Sequence, residues 1–304
     1  MRIVKLVALL VLTCTGVSPQ RLPQDSPLRD LERLQSLGTS RIPEFRRQIR
    51  PFLNEREKLI EASITYSILA TEAVNGQAVN SDGNGKRKIL IGAGWLRTIE
   101  WLSISNLIPR WSTKECAIEY QRHVISGVIT NGASPQTARV FEPFTYALRH
   151  REICPDVRYS AFENDDAAQQ LQKAMVGASF RWLLAHELGH HINNHRATND
   201  EESRRNEEQA DDFAFRVASA DPSSIVLALP AYLLAIGLGS DVEGEAKSTH
   251  PAGARRFQAF AGALKSLPNR DPEVKRYLDD NGLMGRWNQI VTQMIQEITK
   301  ALRN

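Results

Sequence analysis

The chain has 304 residues, 42% of them hydrophobic and 24% charged, ordinary values for a globular protein long enough to bury a sizeable core. This composition excludes a mainly disordered chain, a collagen-like chain and a multi-span membrane protein. The formal net charge is +3; two of the cations, Arg2 and Lys5, lie in a segment expected to be removed, and so weak a field gives no reason to expect a nucleic-acid partner.

Residues 1–16 have a basic start, an apolar run from Leu6 to Leu12 and a small-residue exit. That is the layout of a secretory signal, and the run is too short for the ~20 apolar residues of a membrane span. Cys14 stands where a bacterial lipoprotein carries its lipid, although Val11-Leu12-Thr13 fits that signal loosely. The expectation is an exported protein, periplasmic or anchored to a membrane through a lipid on Cys14. A cytoplasmic chain with an apolar first element is the alternative. Cys116 and Cys154 then form an even pair, a candidate disulfide in an oxidising compartment; two unrelated buried thiols are the other reading.

Val17–Ser26 reads as a linker. Over Pro43–Ala73 apolar residues recur at helical spacing, with a break near Pro51. Two short runs, Thr71–Asn80 and Lys88–Gly92, flank the dense turn signal Ser81–Lys86 and predict a β-hairpin. Trp95–Leu107 reads as a helix, followed by helical patches at Glu115–Ile129 and Ser134–Arg151 separated by Asn131-Gly132. From Asn164 or Asp165 a capped helix carries Leu171, Met175, Ala178 and Trp182 on one face. Helices at Ser203–Ala220 and Ser224–Leu238 follow, and two or three more lie beyond Pro251. The fold class expected is mainly α, with a small β-hairpin or sheet beside the helix described next.

Residues 186–190 read His186-Glu187-Leu188-Gly189-His190. Positions four apart on a helix differ by ~40° around its axis, so both imidazoles can reach one ion. Glu187, one position on, can approach a water activated by that ion without being a ligand, the arrangement used for metal-assisted hydrolysis. The bland alternative is a histidine-rich exposed helix end. A third ligand is needed. Asn193 and Arg196 stand where the metzincin pattern requires Gly and His, so that pattern is rejected. On a continued helix His195 lies about 140° from His190 and His191 about 100°, which suits surface or supporting roles. Glu207-Glu208-Gln209-Ala210-Asp211 offers Glu207 and Asp211 one turn apart. Glu207 can complete a His2Glu site with a position left open, and Asp211 can fix the tautomer of a ligand imidazole. Glu208 is the competitor if the register slips, an acidic solvated face is the alternative, and a structural site with His195 in place of Glu207 is a further one.

With HELGH followed by EEQAD, the chain resembles the gluzincin peptidases of the HtpX type, which include the CaaX prenyl protease and BepA-like periplasmic proteases. Lys88–Leu96 is similar to the strand-to-helix entry of that family, and Thr249-His250-Pro251 with Arg256 is similar to its downstream motif. The resemblance implies one Zn2+ on His186, His190 and Glu207, a base at Glu187 and a supporting Asp211. It further implies His250 as a stabiliser of the oxyanion and Arg256 as a brace acting through a carboxylate; a helix-entry role is the alternative for His250. The organisation it suggests is a signal over 1–16, a linker and helices over 17–70, a zincin-like domain over 71–260 with an insertion at about 105–160, and C-terminal helices over 261–304. The expected function is zinc-dependent endopeptidase action on protein or peptide substrates, in envelope quality control. A latent or non-catalytic zinc-binding chaperone or interaction module is the alternative.

Overall fold

A computed structural model describes residues 27–80, 86–133, 140–196, 199–218, 222–238, 253–270, 272–289, 291–293 and 296. The expected signal segment, Cys14 and His250 lie outside them. Over the described residues the protein is mainly α-helical with one three-stranded sheet, as its patterning suggested. Its chain falls into two units: Asp25–Ile99 with Gly177–Arg256, and a second built on Glu100–Val176 and Phe257–Asn304.

In the first unit, α1 (Pro27–Ile49) turns Leu31, Leu34, Phe45 and Ile49 inward at helical spacing. It lies on the sheet: Gln35 donates to the Ile68 carbonyl at 2.8 Å and Phe45 meets Tyr66 edge to face. Gly38 permits this approach, since a Cβ there would stand 3.1 Å from Ile68 of the sheet, and 2.8 Å from Leu96. Pro51 falls in a 3-10 turn, Arg50–Phe52. Helix α2 (Glu55–Ala62) then opens with a capping box, in which Asn54 and Glu57 exchange two 2.9 Å bonds.

Ile64–Leu69 is strand β1, not the continued helix expected over Pro43–Ala73. Ile60, Ile64 and Ile68 repeat every four residues and mimic a helical stripe. Their β-branched neighbours suit a pleated surface better, and the partner strand that decides the matter comes later in the chain. Strand β2 (Gly76–Asn80) and β3 (Arg87–Gly92) pair antiparallel as the expected hairpin, with Gly76 opposite Ile91. β1 joins β3 in parallel, from Ile64 opposite Arg87 to Leu69 opposite Gly92, so the order is β1-β3-β2. Ile89 and Ile91 of the central strand are fully buried.

Helix α3 (Ala93–Ser105) follows β3 directly. Here two glycines are needed because the chain of residues 71–75 crosses on top. Gly92 N–H donates to Asn75 at 3.0 Å and Gly94 N–H to Thr71 at 2.8 Å. A Cβ on either glycine would collide with the carbonyl of Ala73 or Glu72.

In the second unit, α4 (Lys114–Ala133) runs through Asn131-Gly132, where a break was expected; these residues sit in its last turn, where poor helix formers cost little. Only α5 (Pro143–Arg149) of the patch expected over Ser134–Arg151 is helical among the described residues, and Glu142 caps it through the Phe144 and Thr145 N–H groups. Cys116 and Cys154 are joined by a disulfide, with Cα atoms 5.0 Å apart. A short helix, α6 (Tyr159–Glu163), precedes the longest one.

That longest helix is α7 (Asp166–Ile192), capped by Asp165 through the Ala168 N–H at 2.9 Å. From Trp182 to Gly189 every residue is buried. Burial all round marks a helix enclosed by the fold rather than lying on its surface. Next come α8 (Asp200–Ala218), α9 (Pro222–Leu227) and α10 (Leu229–Leu238). The single helix expected over Ser224–Leu238 is split at Ala228, because Pro230 has no N–H to donate and its ring crowds the carbonyl one turn back. Helices α11 (Gly253–Arg270) and α12 (Pro272–Asp280) complete the labelled elements. Among the described residues no helix is long and apolar enough to cross a membrane.

Candidate metal centre and active site

Both helices that carry the site, α7 and α8, lie side by side because Gly189 lets them. A Cβ there would stand 3.0 Å from the Ala210 Cα and 3.1 Å from the Phe213 Cβ. The glycine inside the HELGH run therefore serves packing, and the packing brings the acidic run of α8 under the two histidines.

The Nε2 atoms of His186 and His190 are 3.2 Å apart. Glu207 places Oε2 3.4 Å from His186 Nε2 and Oε1 3.4 Å from His190 Nε2. These three side chains converge on one point and form a group that could hold a metal ion. The sequence proposed the same three. Glu208 is exposed and stays outside the group.

The back of His186 is fixed by a charged stack. Its Nδ1 donates to Asp211 at 2.8 Å. Asp211 in turn accepts two 2.8 Å bonds from Arg256, one from Nε and one from Nη2. Burial works against ionisation of Asp211, yet the Arg256 guanidinium and His186 outweigh it and hold its carboxyl below the ordinary range. For His186 burial again opposes the charge. The bonds to Asp211 and Glu207 outweigh it and raise the imidazole to about 10. Two carboxylates thus face this one imidazole, Asp211 at Nδ1 and Glu207 at Nε2, which marks the site as a place that draws positive charge. Trp182 lies one turn before His186 and stacks on its ring with centroids 5.4 Å apart.

Glu187 faces the sheet. It is buried and accepts a hydrogen bond from the Ala78 N–H of β2. Burial pushes its carboxyl upward, against the pull of His186 and His190. Strand β2 comes so close that a Cβ on Gly76 would stand 2.5 Å from Glu187 Oε1. His191 is buried and its Nε2 meets the Lys88 carbonyl at 2.9 Å, tying α7 to β3.

His195 departs from the wheel argument. It does not point away from His190: their Nδ1 atoms are 2.9 Å apart, and His195 Nε2 meets Gln209 Oε1 at 2.9 Å. The wheel assumed a helix that continues, whereas α7 stops at Ile192 and Asn194 takes φ +54°. With both ring nitrogens engaged, His195 does not join the metal-holding group in place of Glu207. Neither the close approach of Gly76 nor the bond from Ala78 had a signal in the sequence. His250 lies outside the described residues, so its expected role has no geometry.

Residues 117–277 match the family model of Peptidase U49. The match spans just over half of the chain and includes every residue of the group above. The chain belongs to this peptidase family. No curated protein and no solved structure matches it significantly.

Proposed function

We propose that this member of the Peptidase U49 family is a zinc-dependent endopeptidase whose ion is held by His186, His190 and Glu207. One observation carries the reading: the two imidazole nitrogens are 3.2 Å apart, and each lies 3.4 Å from one oxygen of the Glu207 carboxylate. Tetrahedral zinc with bonds of ~2.0–2.1 Å sets its ligand atoms about 3.3 Å apart. Two nitrogens and one carboxylate are also the donor set of a catalytic zinc site with one position open. The residues therefore fit the ion.

When bound, zinc lowers the pKa of a water and polarises a substrate carbonyl. The protein's own groups do the rest. Glu187 is buried beside the three ligands, and its raised pKa suits a base that takes a proton from water onto a carboxylate oxygen and gives it to the leaving amine. Asp211, locked by Arg256, keeps the proton of His186 on Nδ1 and so leaves Nε2 free to ligate. Gly92 N–H pairs with Asn75, so along β2 the alternate residues Gly76 and Ala78 turn their backbone groups outward. The Ala78 N–H is taken by Glu187, so an extended peptide pairing through the remaining groups of that edge would lie next to Glu187.

The finer kinship with HtpX-type gluzincins, and with it His250 as an oxyanion donor, rests on the motifs alone. The Cys116–Cys154 disulfide supports an exported location, since such bonds persist in oxidising compartments; a periplasmic role in protein quality control belongs to the same proposal. The test is Glu187→Gln: the variant binds zinc like the parent and loses peptide hydrolysis by a factor on the order of 100 or more. Turnover at the parental rate would sink the mechanism.

A further inference from the structure

The end of α7 is shaped by a hydrogen-bond pattern with two parts. Asn194 N–H donates to the His191 carbonyl at 3.2 Å, and His195 N–H donates to the His190 carbonyl at 3.0 Å. With Asn194 at φ +54°, this is a Schellman cap, in which a left-handed residue turns the chain back over the helix end. Such a cap sets the second residue beyond the helix against the residue five before it, usually as an apolar contact. Here those residues are His195 and His190, and the contact is an imidazole pair at 2.9 Å.

The two ring nitrogens cannot both donate. His190 turns Nε2 toward Glu207 and His186, and that nitrogen must be bare to ligate. A neutral His190 then carries its proton on Nδ1 and donates it to His195 Nδ1. His195 must in turn carry its own proton on Nε2, where it donates to Gln209 Oε1 at 2.9 Å. Each donor in this row meets an acceptor. The reverse polarity would put the His190 proton on Nε2, inside the metal-holding group.

We infer that His195 and Gln209 are positioning residues: together they hold the second metal-ligating imidazole, His190, in its ligating tautomer, as Asp211 and Arg256 do for the first. The inference rests on the zinc-site reading. It adds that the Asn194-His195 cap and the Gln209 of the EEQAD run belong to the site. The two supports differ in kind: His186 leans on a buried carboxylate, His190 on a neutral row that ends at an exposed amide.

The experiment has two arms on the full chain. The first titrates zinc against a chromophoric chelator in the parent, His195→Ala, His195→Gln and Gln209→Leu. Losing an outer partner of a ligand histidine typically costs 10–100-fold in affinity. That loss is expected in His195→Ala, with partial recovery in His195→Gln, whose amide oxygen can accept the same proton. Gln209→Leu loses less, because water reaches the exposed end of the row. The second arm needs no metal: nitrogen-15 NMR looks for a through-hydrogen-bond coupling between the Nδ1 atoms of His190 and His195. Absence of that coupling overturns the inference whatever the metal does. Parental zinc affinity in His195→Ala overturns it too. A parent that shows the coupling but binds no zinc refutes the metal site and not the hydrogen-bonded row.

Discussion

Gly76→Ala tests how Glu187 is seated. The added methyl carbon would lie 2.5 Å from Glu187 Oε1, 3.0 Å from its Cδ and 3.1 Å from Ile91 Cδ1. An unstrained contact needs roughly 3.3 Å or more, so the carboxylate must retreat by about 0.8 Å. The obstructing atoms are ends of side chains, and alanine in a strand recovers some of the backbone entropy that glycine loses. The fold should therefore change in stability by less than about 1 kcal/mol. A displacement of about 1 Å in a catalytic group costs on the order of 100-fold in rate, or about 2.7 kcal/mol of barrier. The assay is hydrolysis of a quenched fluorescent peptide, run beside a zinc titration and a thermal melt. The expected outcome is about 100-fold lower kcat/KM with zinc affinity and melting unchanged. Gly262→Ala is the control, since nothing lies within 4 Å of a Cβ there. Parental activity in Gly76→Ala would refute the seating of Glu187 against β2. Zinc affinity falling in step with activity would refute the claim that the effect runs through the base.

Three further outcomes follow from the structure. Gly94→Ala drives a methyl into the Glu72 carbonyl, which is backbone and cannot swing away, so a loss of about 2–3 kcal/mol is expected in denaturant unfolding. Asp165 is held below the ordinary carboxylate range: burial opposes this, but the Ala168 N–H and Arg110 outweigh it. Its stabilisation is complete above about pH 4 and is lost as pH falls further, so Asp165→Ala should cost about 1 kcal/mol at pH 7 and flatten the acid limb of a melting-temperature profile. Reducing the disulfide frees a loop with a sequence separation of 38, worth about 3–4 kcal/mol by chain entropy; a melt unchanged by reductant would contradict that bond.

The site was largely legible because its chemistry is written at helical spacing. His186 and His190, then Glu207 and Asp211, are each four apart, and a helix turns any such pair to one side. Their supports were legible to different degrees. Arg256 came from a resemblance, since nothing in the spacing links it to Asp211 across 45 residues. His195 was misdirected by one assumption, that α7 continues past Ile192. The signal against it was present: Asn193-Asn194 directly after the helix is suited to a left-handed cap. The sheet was half legible. The β2–β3 hairpin is local, with a turn signal between its arms, whereas β1 pairs in parallel with a strand eighteen residues after its own end, and Ile60, Ile64 and Ile68 favoured a helix when read alone. Gly76 shows the limit most clearly. Its importance lies in a contact across 111 residues, which no local pattern encodes.

The central claim is that His186, His190 and Glu207 together hold one catalytic ion. Elemental analysis and zinc titration of the purified chain beside Glu207→Ala test it most directly. The account predicts one zinc per chain in the parent and its loss or marked weakening in the variant. No zinc in the parent after metal is added back, or undiminished binding in Glu207→Ala, would contradict it.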